Sequence, residues 1–292
     1  MPSGYTVLQV AGADAGEFLH AQLTRNIQHM HAKQHTLAAW CDAKGRALCT
    51  LRVQVTDSGY LLILPATVAA AIRKRLRMFV LRAAVTITDV TTEWTLTGLG
   101  HAAAAAPVPG RTQTTPTQTA ATDNGYTLGL DDGQLAIALW PATDTPAPAG
   151  LPVTTTDWQL AEIDAGLPEV TATTAGLFVP QMLNLHWLNA IDFDKGCYPG
   201  QEVIARLQFR GRLTRRLFRM QWHGPQPAVG DTIKDVDGKN QGTVLRAAAS
   251  GAQTGRLLAV IRVDAIEGTL TAGTTELAAL ELPYPTATAS TS

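Results

Sequence analysis

Asp194-Lys195-Gly196-Cys197-Tyr198-Pro199-Gly200-Gln201-Glu202 is the stretch from which the rest of this chain is best read. Its glycines and proline make it a turn rather than the interior of a helix or strand. A single cysteine stands two residues after a lysine and is followed by an amide and a carboxylate. Just upstream lies Phe178-Val179-Pro180-Gln181-Met182-Leu183-Asn184-Leu185. Downstream, Arg206, Arg210, Arg212, Arg215, Arg216 and Arg219 cross a segment without an acid. No other part of the sequence gathers so many reactive and backbone-shaping residues.

The chain around this turn has 292 residues, enough for a sizeable core and about two domains. With 46% hydrophobic and 16% charged residues it reads as a soluble globular protein. A net charge of −1 argues against a generally nucleic-acid-binding surface and leaves room for a local patch. Cys41, Cys49 and Cys197 form no C-x-x-C pair, which suits a reducing compartment better than a disulfide framework. The start carries no signal-peptide pattern, and the apolar stretch 61–72 is too short to span a bilayer and contains Pro65. A cytoplasmic protein without a membrane partner is expected.

From the N-terminus, 5–10 alternates like a strand. A helix follows, with Asp14 as its cap and Glu17 completing a capping box. Phe18, Leu19, Leu23 and Ile27 line one face of that helix, and Gln22, Thr24 and Asn26 read as solvated. Residues 35–40 and 47–55 read as strands joined by Cys41-Asp42-Ala43-Lys44-Gly45-Arg46, a turn whose glycine supplies a positive φ. After a strand at 60–64, Val68, Ile72, Leu76, Phe79 and Val80 mark an amphipathic helix. Its Arg73, Lys74, Arg75 and Arg77 read as a solvated basic face. Strands at 83–90 and 94–99 complete an alternation that predicts an α+β domain on antiparallel sheet.

Gly98-Leu99-Gly100-His101-Ala102-Ala103 imitates a dinucleotide loop, but an Ala run with Pro107 and Pro109 follows, so that site is rejected. Segments 101–124 and 141–152 read as connections flanking a hairpin of 126–130 and 135–139 about Asp131-Asp132-Gly133. A helix over 157–165 stops at Gly166. Beyond Leu213, short strands at 217–222, 229–233, 242–247, 256–263 and 275–280 predict a small barrel. The expected division is an α+β region over 1–212, a β-barrel over 213–283 and a disordered tail over 284–292.

From the residues alone Cys197 admits several readings. As a metal ligand it lacks companions, since no histidine or cysteine set shows ligand spacing. A buried structural thiol and a reactive one both stay open; Lys195 would favour a thiolate, and a glycine-bounded turn can present it. Gln201 and Glu202 open the next helix or strand. The arginines beyond read either as a solvated face or as a rim for a phosphate backbone or polycarboxylate tail.

Lys195-Gly196-Cys197-Tyr198-Pro199-Gly200-Gln201-Glu202 is similar to the K-G-C-Y-x-G-Q-E signature of the YgfZ family, folate-binding relatives of the glycine-cleavage T-protein, an aminomethyltransferase. Phe178-Val179-Pro180-Gln181 with Asn184-Leu185, and Gln22-Leu23-Thr24 with Cys41-Asp42-Ala43-Lys44-Gly45-Arg46, resemble the same family. The likeness implies two ferredoxin-like units forming a folate-binding region, a C-terminal barrel and a central channel. It implies tetrahydrofolate or a folate derivative as cofactor, and a role in assembling or repairing iron–sulfur clusters. The implied partners are iron–sulfur client enzymes, tRNA-modifying ones among them.

Carried across by position, Cys197 and Lys195 match the reactive signature. Asp164, in Glu162-Ile163-Asp164-Ala165-Gly166, matches the carboxylate set against the pterin, with Asp where Glu is usual. Gln181, Asn184, Gln201, Glu202 and Arg206 complete the implied folate set. The aminomethyltransferases carry acids on the strand after the Gly45-like turn, whereas Ala47-Leu48-Cys49-Thr50 has none. Aminomethyl transfer therefore lacks a visible base. A folate-dependent accessory factor is expected, with a tetrahydrofolate-dependent one-carbon transferase acting on RNA or protein as the alternative.

Overall fold

A computed structural model describes residues 4–32, 34–99, 117–118, 120–122, 125–130, 135–143 and 153–285. The first part is a six-stranded sheet with helices on one face. In chain order it comprises β1 (Tyr5–Ala11), α1 (Ala15–Gln22), β2 (Gln34–Cys41), β3 (Ala47–Thr56), β4 (Gly59–Pro65), α2 (Ala66–Val80) and β5 (Thr86–Asp89). The second sheet is formed by β6 (Trp94–Leu99), β8 (Ala120–Thr122), β9 (Gly125–Leu130) and β10 (Leu135–Pro141). Between them in sequence, β7 (Thr117–Gln118) completes the first sheet, whose order is β5-β1-β4-β3-β2-β7.

Two helices, α3 (Thr155–Asp164) and α4 (Gln201–Arg210), flank the irregular segment that carries both signature stretches. The chain ends in β11 (Arg215–His223), β12 (Thr232–Lys234), β13 (Asn240–Gly251), β14 (Thr254–Arg262), β15 (Leu270–Ala272) and β16 (Thr275–Leu280), which close into a barrel. The expected α+β architecture with a terminal barrel is present. The strand at Leu270–Ala272, too short to leave a sequence signal, completes the barrel between β12 and β16.

Alternation explains the layers. On β4, Leu62 and Leu64 face α1 and α2, while Leu61 and Ile63 enter the core shared with α3 and the barrel. On β14, Leu257, Ala259 and Ile261 fill the barrel, while Leu258 and Val260 join that shared core. Both faces of the first sheet are therefore covered.

Local expectations differ in two places. No capping box forms: the Asp14 carboxylate accepts from the Ala84 amide at 2.7 Å and ties α1 to the approach of β5. The helix also ends at Gln22, so Leu23 is extended and bridges Trp40, although Leu23 and Ile27 are fully buried as their apolar character requires. The Asp131-Asp132-Gly133 turn, the dinucleotide-like loop after Leu99 and most of 101–124 and 141–152 lie outside the described residues. So does the tail beyond Pro285, whereas Tyr284 is buried and donates to the Gly166 carbonyl at 3.0 Å. Among the described residues no helix is long and apolar enough to cross a membrane.

One ion cluster joins the parts. Glu162 of α3 is 1% exposed and accepts from Arg52 of β3 at 2.9 Å, Arg246 of β13 at 2.7 Å and the Tyr5 hydroxyl of β1 at 2.9 Å. Burial alone would raise the Glu162 carboxyl, but Arg246 and Arg52 and the hydrogen bonds outweigh it and hold it below its ordinary 4.5. A lowered carboxyl contributes stability that is present above its unfolded value and is lost as pH falls through the folded one. Glu162→Gln leaves two buried guanidinium groups without their main counter-charge and is expected to cost about 3–5 kcal/mol at neutral pH. In denaturant titrations of both proteins, that gap should narrow below pH 4.5; a gap independent of pH would contradict this role for Glu162.

Candidate functional site

The cysteine turn is held from behind. Lys195 is buried, and its Nζ donates to the carbonyls of His20, of Leu23 at 2.6 Å and of Arg25 at 3.0 Å. An ammonium has three protons, and all three are committed. Gln201 Nε2 braces the other side by donating to the Lys195 carbonyl at 3.0 Å. The residues before the turn are fastened to the same place. Thr24 Oγ1 donates to the Ala190 carbonyl at 2.6 Å, and Asp192 takes Arg25 at 2.6 Å and the Asn26 amide at 2.6 Å. Gln22 and Thr24, expected in solvent, are thus buried, with Gln22 Oε1 accepting from Trp40 Nε1 at 3.3 Å.

Glycine decides the other contact. Gly200 has φ +77°, and a Cβ there would stand 2.6 Å from the Asp42 carbonyl and run into the backbone of Gly45. Gly45, at φ +73°, meets Gly200 and Val203 in return. The two glycine turns, 155 positions apart by their numbers (200 minus 45), touch backbone to backbone because neither has a side chain. Three sequence stretches quoted above, 22–24, 41–46 and 194–202, therefore form one structure. Cys197 sits exposed at its outer edge, whereas Cys41 and Cys49 are buried and burial pushes both thiols up.

A neighbour the sequence reading missed is His20. A side chain on Gly196 would come 3.4 Å from its Nε2. Its Nδ1 donates to Asn26 Oδ1 at 3.0 Å, an acceptor, which leaves Nε2 free to accept. Burial, then the Lys195 ammonium, lower His20 below its usual value and keep it neutral at neutral pH. Burial also draws Lys195 down to about 8. The lysine expected to serve the thiol is thus an anchor whose protons point at backbone. Among the described residues no group of three His, Cys, Asp or Glu is placed to hold a metal.

The remaining expected residues divide between places. Gln181 donates to the Ile204 carbonyl at 2.6 Å and Asn184 to the Leu217 carbonyl at 3.0 Å; both are buried, and Gln181 Oε1 and Asn184 Oδ1 have no donor among the described residues. Asn184 also reaches the Tyr284 hydroxyl at 3.3 Å, which links it to Gly166 at the end of α3. Asp164, one turn-half around α3 from Glu162, faces the barrel and pairs with Arg219 at 3.4 Å and with Arg256. Glu202 and Arg206 stand exposed on α4.

A pterin needs a carboxylate with open lone pairs to meet its 2-amino and N3–H donors. Glu162 does not fit: both oxygens are used, and the cavity beside it, lined by Tyr5, Thr50, Arg52, Glu169 and Arg246, measures about 10 Å³, room for one water. Asp164 does fit, since its side chain is 32% exposed and its oxygens hold more acceptor sites than the two arginines fill.

The glycine contact makes a specific prediction. Gly200→Ala should destabilise by about 2–5 kcal/mol, from left-handed strain plus overlap with Gly45. Gly238→Ala has the same φ of +77° with nothing within 4 Å and should show the strain alone. Equal losses in chemical denaturation would remove the backbone contact as an explanation.

Comparison with known proteins agrees with this geometry. Residues 214–284 match the family model for the CAF17 C-terminal beta-barrel domain, the segment that closes as a barrel here. A protein of Colwellia psychrerythraea called tRNA-modifying protein YgfZ is 32% identical over 239 residues, 79% of this chain and 74% of that one. Its namesake from Cronobacter sakazakii is 31% identical over 282 residues, 91% and 85% of the two chains. Among solved structures, aminomethyltransferase T of the glycine cleavage system from Bartonella henselae superimposes with a TM-score of 0.68 at 16% identity, over 95% of this chain and 82% of that one, a likeness of fold. With its identity to these relatives extending over most of both chains, this protein belongs to the YgfZ family.

Proposed function

We infer that this protein is a folate-binding accessory factor for tRNA modification, supporting the assembly or repair of iron–sulfur clusters in client enzymes, with Cys197 as its working thiol. One observation carries the reading: Cys197 is exposed on a turn fixed by the Lys195 carbonyl bonds and the Gly45–Gly200 contact. A thiol kept for packing belongs where Cys41 and Cys49 are, in the core. Ordering of an exposed turn from behind positions a reactive atom without covering it. The relatives' name, tRNA-modifying protein, supports the class of pathway.

Within this reading Asp164 holds the pterin edge of tetrahydrofolate. When bound, the folate supplies a one-carbon carrier. The chain's own residues bind and orient it, and the start of β3, Ala47-Leu48-Cys49-Thr50, places no acid or base there for aminomethyl transfer. In this reading His20 Nε2, a neutral acceptor beside Gly196, receives the thiol proton.

Cys197→Ala should leave stability within about 0.5 kcal/mol, as expected for an exposed side chain, and should abolish complementation of a deletion strain. Full complementation by this variant would end the thiol assignment. Calorimetric titration with tetrahydrofolate should show saturable binding that Asp164→Asn weakens about tenfold or more through the loss of charge-assisted hydrogen bonds. Unchanged affinity in Asp164→Asn would place the pterin elsewhere.

A further inference from the structure

The arginine run after the cysteine turn folds into a surface with aromatic rings set among the charges. From 203 to 230 the chain has no Asp or Glu. Arg206 and Arg210 stand exposed on α4, Arg212 is exposed on the link, and Arg215 is half-buried at the start of β11. Among the described residues none of these four is ion-paired. Glu202 stands one turn before Arg206 on the same helix, and beyond it the next acid in the chain is Asp231, so Arg210, Arg212 and Arg215 have no acid within a helical turn in sequence.

Phe209 is 72% exposed in the last turn of the same helix and meets Phe193 edge-on, with centroids 6.2 Å apart. Trp187 carries the Arg216 guanidinium over its ring at 4.9 Å and the His186 ring against it at 4.5 Å. Burial, then Arg216, hold His186 down at about 4, so that ring is neutral.

Folding alone does not account for this arrangement. An exposed phenyl ring forgoes burial, and like charges gathered on one short helix and its exit repel. An anionic polymer with flat apolar faces relieves both. Duplex nucleic acid keeps its bases stacked on one another, whereas a single strand offers them to aromatic rings. An acidic peptide would satisfy the arginines and leave the rings uncovered. The geometry points to a docking surface for single-stranded RNA, with a base stacked on the exposed Phe209 and phosphates on Arg206, Arg210, Arg212 and Arg215. Gln201 to Phe209 spans about 12 Å of helix, so this surface and the Cys197 turn stand at the two ends of α4. The inference deepens the proposed function by naming what is brought to the thiol, and rests on that reading for this last step alone.

Fluorescence anisotropy with a labelled oligouridylate of about 12 nucleotides tests it. Saturable binding is expected, with log K falling against log salt at a slope of about −3 for roughly four phosphate contacts. Phe209→Ala should weaken binding about tenfold, and the Arg210→Ala/Arg212→Ala double variant should flatten the slope by about 1.4. No saturable binding at about 50 mM salt, or affinity unchanged in Phe209→Ala, overturns the assignment. So does competition by an oligoglutamate peptide as strong as by unlabelled RNA, which would assign the surface to an acidic protein segment. Cys197→Ala should bind the RNA as the wild type does. Its complementation therefore reports on the thiol reading separately from this surface.

Discussion

The carbonyls of His20, Leu23 and Arg25 come from the place where α1 gives way to extended chain. Helix geometry leaves the last acceptors there without intrahelical donors. A buried acceptor without a partner is costly, and the negative end of a helix favours a cation. Lys195, between 170 and 175 residues further along the chain, answers both needs with one ammonium. That bond set fixes the turn in position. Lys195 is buried and Cys197, two residues later, is exposed, so the backbone between them is not a regular strand, whose side chains would share a face at that spacing. The lysine goes inward and the cysteine outward. The resulting thiol is exposed on a backbone that is held from behind.

Much of this was legible in the residues. The Asp42-Ala43-Lys44-Gly45 turn, the strands on either side of it and the barrel strands after Leu213 all carry alternation bounded by glycine or proline, and all fold accordingly. The same patterning does not reveal where a polar residue is buried. On β3, Cys49, Leu51, Val53 and Val55 alternate with Thr50, Arg52 and Gln54, which reads as a sheet with one wet face. Both sets are buried, because α3, the 167–170 segment and the barrel cover the second face. Period-two alternation reports polarity and carries no information on whether the polar face meets water or a satisfied network.

Glu162 shows the limit most sharply. In sequence it stands two places before Asp164, and nothing local distinguishes the two carboxylates. Helix geometry turns them to opposite sides: one into a sealed cluster with Arg52 and Arg246, the other to a partly open rim beside Arg219 and Arg256. Their partners come from β3, β13, β11 and β14, so only the assembled fold assigns one carboxylate to stability and leaves the other available to a ligand. Gly45 and Gly200 make the converse case. Each was legible as a turn glycine from its neighbours, but their mutual contact has no sequence signature because it consists of two missing side chains.

Sharing a fold with an aminomethyltransferase does not settle what this fold does, because activity resides in the side chains grafted onto it. Here the strand that follows the Gly45 turn begins with Ala47-Leu48-Cys49-Thr50, and Cys49 points into the core. The chemically distinctive groups lie instead across the glycine contact: an exposed thiol, a neutral imidazole and a helix bearing the exposed Arg206 and Arg210. A transferase needs its charged catalytic group at the buried substrate, whereas a protein acting on a macromolecule needs its reactive atom at the surface beside something that holds the macromolecule. The proposed function rests on the second arrangement. The Gly45–Gly200 contact joins the hairpin at 42–46 of the first sheet to the turn that carries Cys197, backbone against backbone.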